Sequence, residues 1–323
     1  APLRAVYTRV ANSLKARLFM HVAEASVAGV AGAPPAAYDS ALKYVPLGIN
    51  TPADDFIWYH DGTATGNNIW YQFQATRFGD LSAGGALIEI LKDRIQAGIE
   101  GNERLAFYFL TADGEDPAPD GSNFFGYRPS ATTDMPTAPG VYNGNGDAAG
   151  GYSFFNTYGD GESADGGTRI PELTYAETQL IGAEAAFQLG GQGAAQPFLD
   201  AARANRSWGT IPFPALGSVP ATLENIMEEK YTTLFLNPEV WNDYKRTCLP
   251  SLAPAPVNDS PGSAPRATPI AARLPYGQQE NTANPNVPAT SSTGVAVTPI
   301  SQNPNDPNPC PVLNYTSSTP LAN

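Results

Sequence analysis

Three groups of carboxylates are the first residues in this 323-residue chain that could do acid–base or metal chemistry: Asp54–Asp55, Asp113/Glu115/Asp116 and Asp160/Glu162/Asp165. Two carboxylates flanking a glycosidic bond would serve a glycoside hydrolase. The third group sits in D-G-E-S-A-D-G-G, whose oxygens and glycines suit calcium but lack the spacing of an EF-hand loop. Solvated turns account for all three groups more simply, since Asp in Gly-rich stretches bonds its own backbone. There are only two histidines, His21 and His60, too few to support a His-rich metal site or a histidine triad. His21 falls at a helix end, where a hydrogen-bonded structural role is expected. His60 follows Trp58–Tyr59 in a polar loop; it could touch a ligand, although plain surface placement is the simpler reading. There is no G-x-S-x-G elbow, no Walker A loop and no H-E-x-x-H. Gly144-x-Gly146-x-x-Ala149 mimics a dinucleotide fingerprint, but no apolar strand precedes it and no helix follows.

Composition excludes several partners. With 18 Lys+Arg against 31 Asp+Glu the net charge is -13, and no basic run offsets it, so nucleic acid is not an expected partner. No stretch of 18 or more apolar residues exists to span a bilayer as a helix. Two cysteines, Cys248 and Cys310, are too few for a disulfide framework or a four-cysteine zinc site; whether they pair is left open by the sequence. Glycine and proline together make 62 of the 323 residues, well above average usage, which implies regular elements separated by long ordered loops. The chain starts without an initiator Met, a basic n-region or an apolar h-region, so the expectation is a processed or partial product.

The elements that would position any site are mainly helical. Leu3, Val6, Val10, Leu14 and Leu18 lie along one face of a helix expected over 3–27, closed by the Gly32–Pro35 breaker run. Residues 36–84 read as mixed structure. Leu87, Leu91, Ile95 and Ile99, with Ile88, predict a helix over 85–99, followed by a helix end or short strand at 101–110. From 111 to 170 the pattern dissolves into Gly, Asp, Pro and aromatics, and the aromatics favour an ordered loop region over disorder. Pro171 suits the first turn of a helix that continues through Phe187 to Gly190–Gly191. Further helices are expected over 194–206, 221–236 and from Pro238 to 247. Their short connections favour antiparallel hairpins, with Ala183, Ala185 and Ala186 letting the first pair approach closely. Residues 250–323 hold 15 of the 31 prolines and five charged residues, which forbids helix or central strand there. This gives two parts: a helical domain over 1–249 with loop-rich regions at about 50–84 and 111–170, and an extended Pro/Ser/Asn-rich segment over 250–323.

Four blocks carry a specific resemblance. R-I-P-E-L-T-Y-A-E-T-Q-L-I-G-A-E-A-A-F-Q-L-G from Arg169 to Gly190 contains Tyr175–Ala176–Glu177, Leu180 and Ala183–Glu184–Ala185. The stretch from Ile226 to Pro250 contains W-x-D-Y-x-R as Trp241, Asp243, Tyr244 and Arg246. Val10–Glu24 has an A-N-S-L-K-x-R core, and Arg273–Asn286 reads R-x-P-Y…E…N-P-N. Taken in their order along the chain, they resemble the SusD/RagB family, nutrient-binding lipoproteins of the outer membrane in Bacteroidota-type bacteria. The departures are the lack of the family's N-terminal portion with its lipidated Cys, and the extra tail after Asn286.

The resemblance implies a mainly α, TPR-like helical-hairpin scaffold with long ordered loops and an extended Pro-rich tail. It implies a non-enzymatic surface protein that captures a glycan or peptide oligomer. Its partner would be a SusC-like TonB-dependent transporter, over which it acts as a lid, with the membrane reached only through a lipid anchor outside these residues. No cofactor is implied; calcium at the D-G-E-S-A-D-G-G group is left open by the sequence. An alternative is a structural or accessory subunit of a surface assembly, with the Pro-rich tail as its arm. In such a protein the binding face comes from variable loops, which points to Trp58, Tyr59, Trp70 and Tyr71, then Phe124, Phe125, Tyr127 and Arg128. Aromatic faces stack on sugar C–H faces or pack on peptide side chains, though for any single ring packing beneath its own loop is the simpler reading. Glu177 and Glu184, seven apart on one helix, are placed to pair with Arg residues of neighbouring helices. Trp241, Asp243, Tyr244 and Arg246 are read as locking that packing rather than touching ligand.

Overall fold

A computed structural model describes residues 3–23, 34–63, 65–77, 83–126, 153, 155–156, 166–208 and 211–252, with short pieces at 256–257, 266–267 and 283. Nine helices lie among the described residues: α1 (Leu3–His21), α2 (Pro34–Tyr44), α3 (Ile69–Thr76), α4 (Gly85–Gln96), α5 (Glu103–Tyr108), α6 (Tyr175–Gly190), α7 (Gln192–Ala204), α8 (Leu223–Thr233) and α9 (Glu239–Thr247). The strands are short. β1 (Phe56–Trp58) runs antiparallel to β2 (Ile170–Leu173), β3 (Ser207–Trp208) to β4 (Ile211–Pro212), and β5 (Pro256–Val257) to β6 (Arg266–Ala267). The fold is thus mainly α, as expected. None of the described helices is long and apolar enough to cross a membrane.

Helix ends follow side-chain chemistry. The Thr174 hydroxyl accepts from the Glu177 amide at 3.1 Å, Thr222 does the same for Asn225 at 3.2 Å, and Asn68 caps α3. Gly191, at φ +74°, closes α6 in a conformation that costs glycine little and lets the next helix double back. Pro171 is not in the first turn of α6, because Ile170–Leu173 is drawn into a strand pair with β1 and the cap falls at Thr174. The double proline at 34–35 starts α2 rather than ending structure, since a proline in the first turn forfeits no helical hydrogen bond. α1 stops at His21, where Val22 and Ala23 donate to the carbonyls three residues back and tighten the last turn.

Two hairpins make the scaffold, α1/α2 and α6/α7, with α2 and α6 packed between them. One core joins Ala16, Met20, Ala37, Tyr38, Ala41, Ile181 and Ala185; another joins Leu180, Ala183, Leu199, Ala202 and Ile226. Alanines dominate both, and they let helix axes come close. A third core is aromatic, with Tyr108 and Phe235 stacked at 4.1 Å and Phe107 edge-on to Trp208 and Phe213. The apolar stripe of α1 does not face inward as a core helix would. Ser13, Ala16, Arg17 and Met20 are buried, whereas Leu3, Leu14 and Leu18 are exposed.

Buried charge ties the helices together. Arg17 of α1 clasps Glu177 of α6 with two bonds of 2.7 Å. Glu229 of α8 accepts from Arg94 (2.5 Å), Arg104 (2.8 Å) and Arg203 (2.6 Å). Glu184 of α6 accepts from Lys230 at 2.6 Å and from both terminal nitrogens of Arg246, which also reaches Asp243 at 2.7 Å. Glu177 and Glu184 thus pair as the sequence suggests, and Asp243 and Arg246 act in packing. Cys248, which ends α9 at φ +60°, is disulfide-bonded; the other cysteine, Cys310, lies outside the described residues.

Candidate functional site

β1 projects Phe56 and Trp58 to the same side, two residues apart, and both rings are exposed. The strand is held by pairing with β2 (Phe56 with Leu173, Trp58 with Ile170) through an irregularity between Phe56 and Ile57. The Trp58 indole N–H donates to Glu172 Oε2 at 2.9 Å, which fixes the ring by its edge and leaves 58% of the residue exposed. Glu172 is anchored in turn, since its carbonyl accepts from Arg17 at 2.6 Å. Arg17 is the partner of buried Glu177, so the ring's mount traces back to the α1–α6 ion pair. Tyr59 is 69% exposed and carries the Arg169 guanidinium 4.9 Å from its ring centre.

The loop after Tyr59 folds on itself. Asp61 accepts from the Thr63 hydroxyl (2.7 Å) and amide (3.0 Å), and the hydroxyl bond foremost holds its carboxyl below the usual range. His60 Nδ1 lies 3.3 Å from the Gly66 carbonyl. Buried Asn68 fixes the start of α3: its Oδ1 accepts from the Tyr71 amide at 2.8 Å, and its Nδ2 reaches the carbonyls of Gly166 (3.2 Å) and Thr168 (3.3 Å). A Cβ at Gly166 would stand 2.0 Å from Asn67 Oδ1, so glycine is what permits this approach. The same segment leads through Arg169 into β2, so one strand carries the mounts of Trp58, Tyr59 and α3.

On α3, Ile69 and Phe73 are exposed, four residues apart on one face, with Arg77 5.5 Å from the Phe73 ring. Trp70 is half-buried and meets Phe155 edge-on at 6.1 Å, at the rim of a crevice that reaches Trp208 and Phe235. Tyr71 is also half-buried. Of the second group, Phe124 is fully buried in the aromatic core and offers no face to a ligand. Phe125 is half-buried, with Lys92 5.4 Å from its ring and its amide bonded to Ser153. Tyr127 and Arg128 lie outside the described residues, as do the Gly144–Ala149 motif and the Asp160/Glu162/Asp165 group.

Phe56, Ile69 and Phe73 are the site residues the sequence reading missed. Their signal is the alternation of Phe56 and Trp58 and the four-residue spacing of Ile69 and Phe73.

The carboxylates near the site are engaged. Asp54 pairs with Arg9 at 2.7 Å. Asp55 accepts the Tyr175 amide at 2.6 Å and lies 3.5 Å from the Ser207 hydroxyl; burial pushes its carboxyl up to about 7 against those bonds. Asp113 accepts the Glu115 amide and the Asn123 side chain, a turn as expected. No cluster of three or more His, Cys, Asp or Glu suited to a metal occurs among the described residues. The arrangement therefore offers exposed rings, of which Trp58 is held at its edge by the Glu172 carboxylate and Tyr59 carries the Arg169 guanidinium over its ring.

Residues 210–294 match the family model for SusD-like proteins, the Susd and RagB outer membrane lipoproteins. No curated protein matches the sequence. Among solved structures the chain is similar to a chitin-binding protein (21% identity, TM-score 0.53, covering 87% of this chain and 59% of that one). It is also similar to SusD homologues from Bacteroides thetaiotaomicron (18%, 0.53, 86% and 59%) and Bacteroides fragilis (19%, 0.56, 86% and 62%). The chain spans about three fifths of the length of these structures. At such identities the likeness establishes the fold, which is SusD-like.

Proposed function

We propose that this chain, SusD-like in fold and in residues 210–294, is a non-catalytic surface protein that captures an oligomeric nutrient and delivers it to a SusC-like TonB-dependent transporter, over which it acts as a lid. The observation that carries the binding role is the set of exposed apolar side chains Phe56, Trp58 and Tyr59 on and just after β1, with Ile69 and Phe73 on α3. Exposed aromatic faces are what a glycan or peptide would stack on. Trp58, fixed at its edge by Glu172, loses little entropy on stacking, so that ring is prepared before ligand arrives. The family description places its members at the outer membrane, and a chitin-binding protein shares the fold, which supports a glycan as ligand ahead of a peptide. Ligand contacts that are better in the closed lid would shift the lid toward closure, with transport energy supplied through the partner. No cofactor enters this reading, and residues 1–249 form the binding domain, with 250–323 as its extended segment.

The test is calorimetry with chito-oligosaccharides and with peptides of matched length, on the native chain and on Trp58→Ala/Tyr59→Ala. Two stacking rings at about 0.5–1.5 kcal/mol each predict a loss of roughly 5- to 150-fold. Thermal stability should be unchanged, because both rings are exposed. Retained affinity in the double variant would place the site elsewhere. Solubilised membranes in which this chain retains no TonB-dependent barrel would defeat the delivery role.

A further inference from the structure

α1 carries a second apolar face that nothing among the described residues covers. Leu3, Tyr7, Leu14, Leu18 and Val22 are 37–71% exposed, and Ala11 completes their row. The spacings are four, four, three, four and four, one residue for every turn of the helix. Such a row is a seam for another helix. It runs about 28 Å at 1.5 Å per residue. Exposed Leu47 lies beside it, its carbonyl bonded to Asn12 of α1 at 3.0 Å.

The position in the fold adds to this. The hairpins α1/α2 and α6/α7 stack through α2 and α6, and α1, which packs on both of these and on α9 by its buried face, turns the leucine row outward. The outward face of a packed helix is ordinarily polar, and this one is not.

Charge decides what lies there. α1 has no Asp or Glu. Arg9 is paired with Asp54 and Arg17 with Glu177, while Arg4 and Lys15 flank the row on the exposed side, the Lys15 ammonium lying 5.0 Å from the Tyr44 ring centre. A second copy of α1 laid along the first would set basic flank against basic flank with no carboxylate on either side. A lipid surface would have to accept a chain of net charge -13 on a seam only one residue wide. We infer that this face docks a further amphipathic helix, apolar at three- and four-residue spacing and flanked by Asp or Glu, laid along α1 as the next layer of the stack.

The experiment titrates the full chain with two labelled synthetic helices of about 20 residues, both with Leu along the seam. One carries Glu flanks and the other Lys flanks, and binding is read by fluorescence anisotropy. The Glu-flanked helix should bind at least tenfold more tightly than the Lys-flanked one. Leu14→Glu/Leu18→Glu should lose that binding by at least tenfold. Arg4→Glu/Lys15→Glu should reverse the preference between the two helices. All four positions are exposed, and an unchanged circular dichroism spectrum confirms that the variants fold. Equal binding of both helices, or of neither, overturns the proposal. So does self-association of the chain in sedimentation that Leu14→Glu/Leu18→Glu abolishes, which assigns the face to a second copy. Binding to phosphatidylglycerol-containing vesicles, lost in the same variant, assigns it to lipid and equally overturns the proposal.

Discussion

Glu184→Gln removes one charge and almost no volume from the junction of α6, α8 and α9. Glu184 is fully buried and shares its two oxygens among Lys230 and both terminal nitrogens of Arg246. Asp243 completes the cluster, 3.1 Å from Lys230 and 2.7 Å from Arg246, so two carboxylates face two cations and the site is neutral. Burial alone would raise the Glu184 carboxyl; the Arg246 and Lys230 charges outweigh it and hold the group below the ordinary range. The substitution leaves a net positive charge in a buried site. Removing one partner of a buried pair costs about 3–5 kcal/mol. Against a total stability of about 5–15 kcal/mol this is a large fraction.

Urea unfolding at pH 7 measures it. With a slope near 3 kcal/mol per molar the midpoint should fall by roughly 1–1.7 M. Lys230→Met alone leaves two carboxylates on Arg246 and should also destabilise. Combined with Glu184→Gln it restores an Asp243–Arg246 pair, so the double variant should cost less than the sum by about 1–3 kcal/mol. Because the folded group is depressed, its stabilisation is present above the unfolded value near 4.5 and is lost as pH falls through the folded one. A Glu184→Gln midpoint within about 1 kcal/mol of the native chain, or strictly additive variants, would refute the buried-pair account.

Asp55 runs the opposite way: raised by burial to about 7, it contributes stability that is fully present below about 4 and lost as pH rises through 7. Asp55→Asn keeps an acceptor for the Tyr175 amide, so melting curves between pH 5 and 8 should flatten, with the largest gain at pH 8. Gly182→Leu should cost about 1–3 kcal/mol by calorimetry, since even a Cβ there would stand 2.7 Å from Phe198 and 3.1 Å from Val45. Glu172→Ala frees the Trp58 indole without touching its face, and ligand affinity should drop by roughly 5-fold, about one hydrogen bond, while the melting temperature holds.

The late helices were legible because their period and stops agree. Leu180 and Ala183 repeat at helical spacing and Gly191 closes α6; only its start moved, from Pro171 to the Thr174 cap, because β2 pairs with β1. α2 and α3 were not. A Pro–Pro pair reads as a breaker until one sees that it occupies the first turn of α2, and α3, eight residues long, stands on an Asn68 cap whose other bonds run to Gly166 and Thr168, about a hundred residues away. α1 shows the harder limit. Its period is plain, but it has two apolar faces, one of leucines and one around Ala16, Met20 and Ala23, and period alone cannot choose between them. The facing residues, Ala37, Ala41 and Ala185, decide it: small side chains on both sides bring the helices close and bury Arg17 onto Glu177, an arrangement that Leu14 or Leu18 would hold apart.

The aromatic residues divide in the same manner. Trp58 and Phe124 are alike in sequence, each in a Gly- and Asp-rich stretch, and only the strand pairing of β1 against the closure of residues 121–126 over Leu105 puts one ring in water and the other in the core. What the sequence does carry about the site is its mount. Arg17 and Glu177 lie inside two of the blocks that gave the resemblance, and through Glu172 they hold the edge of Trp58. A motif that serves packing can therefore also set the orientation of an exposed ring it never touches.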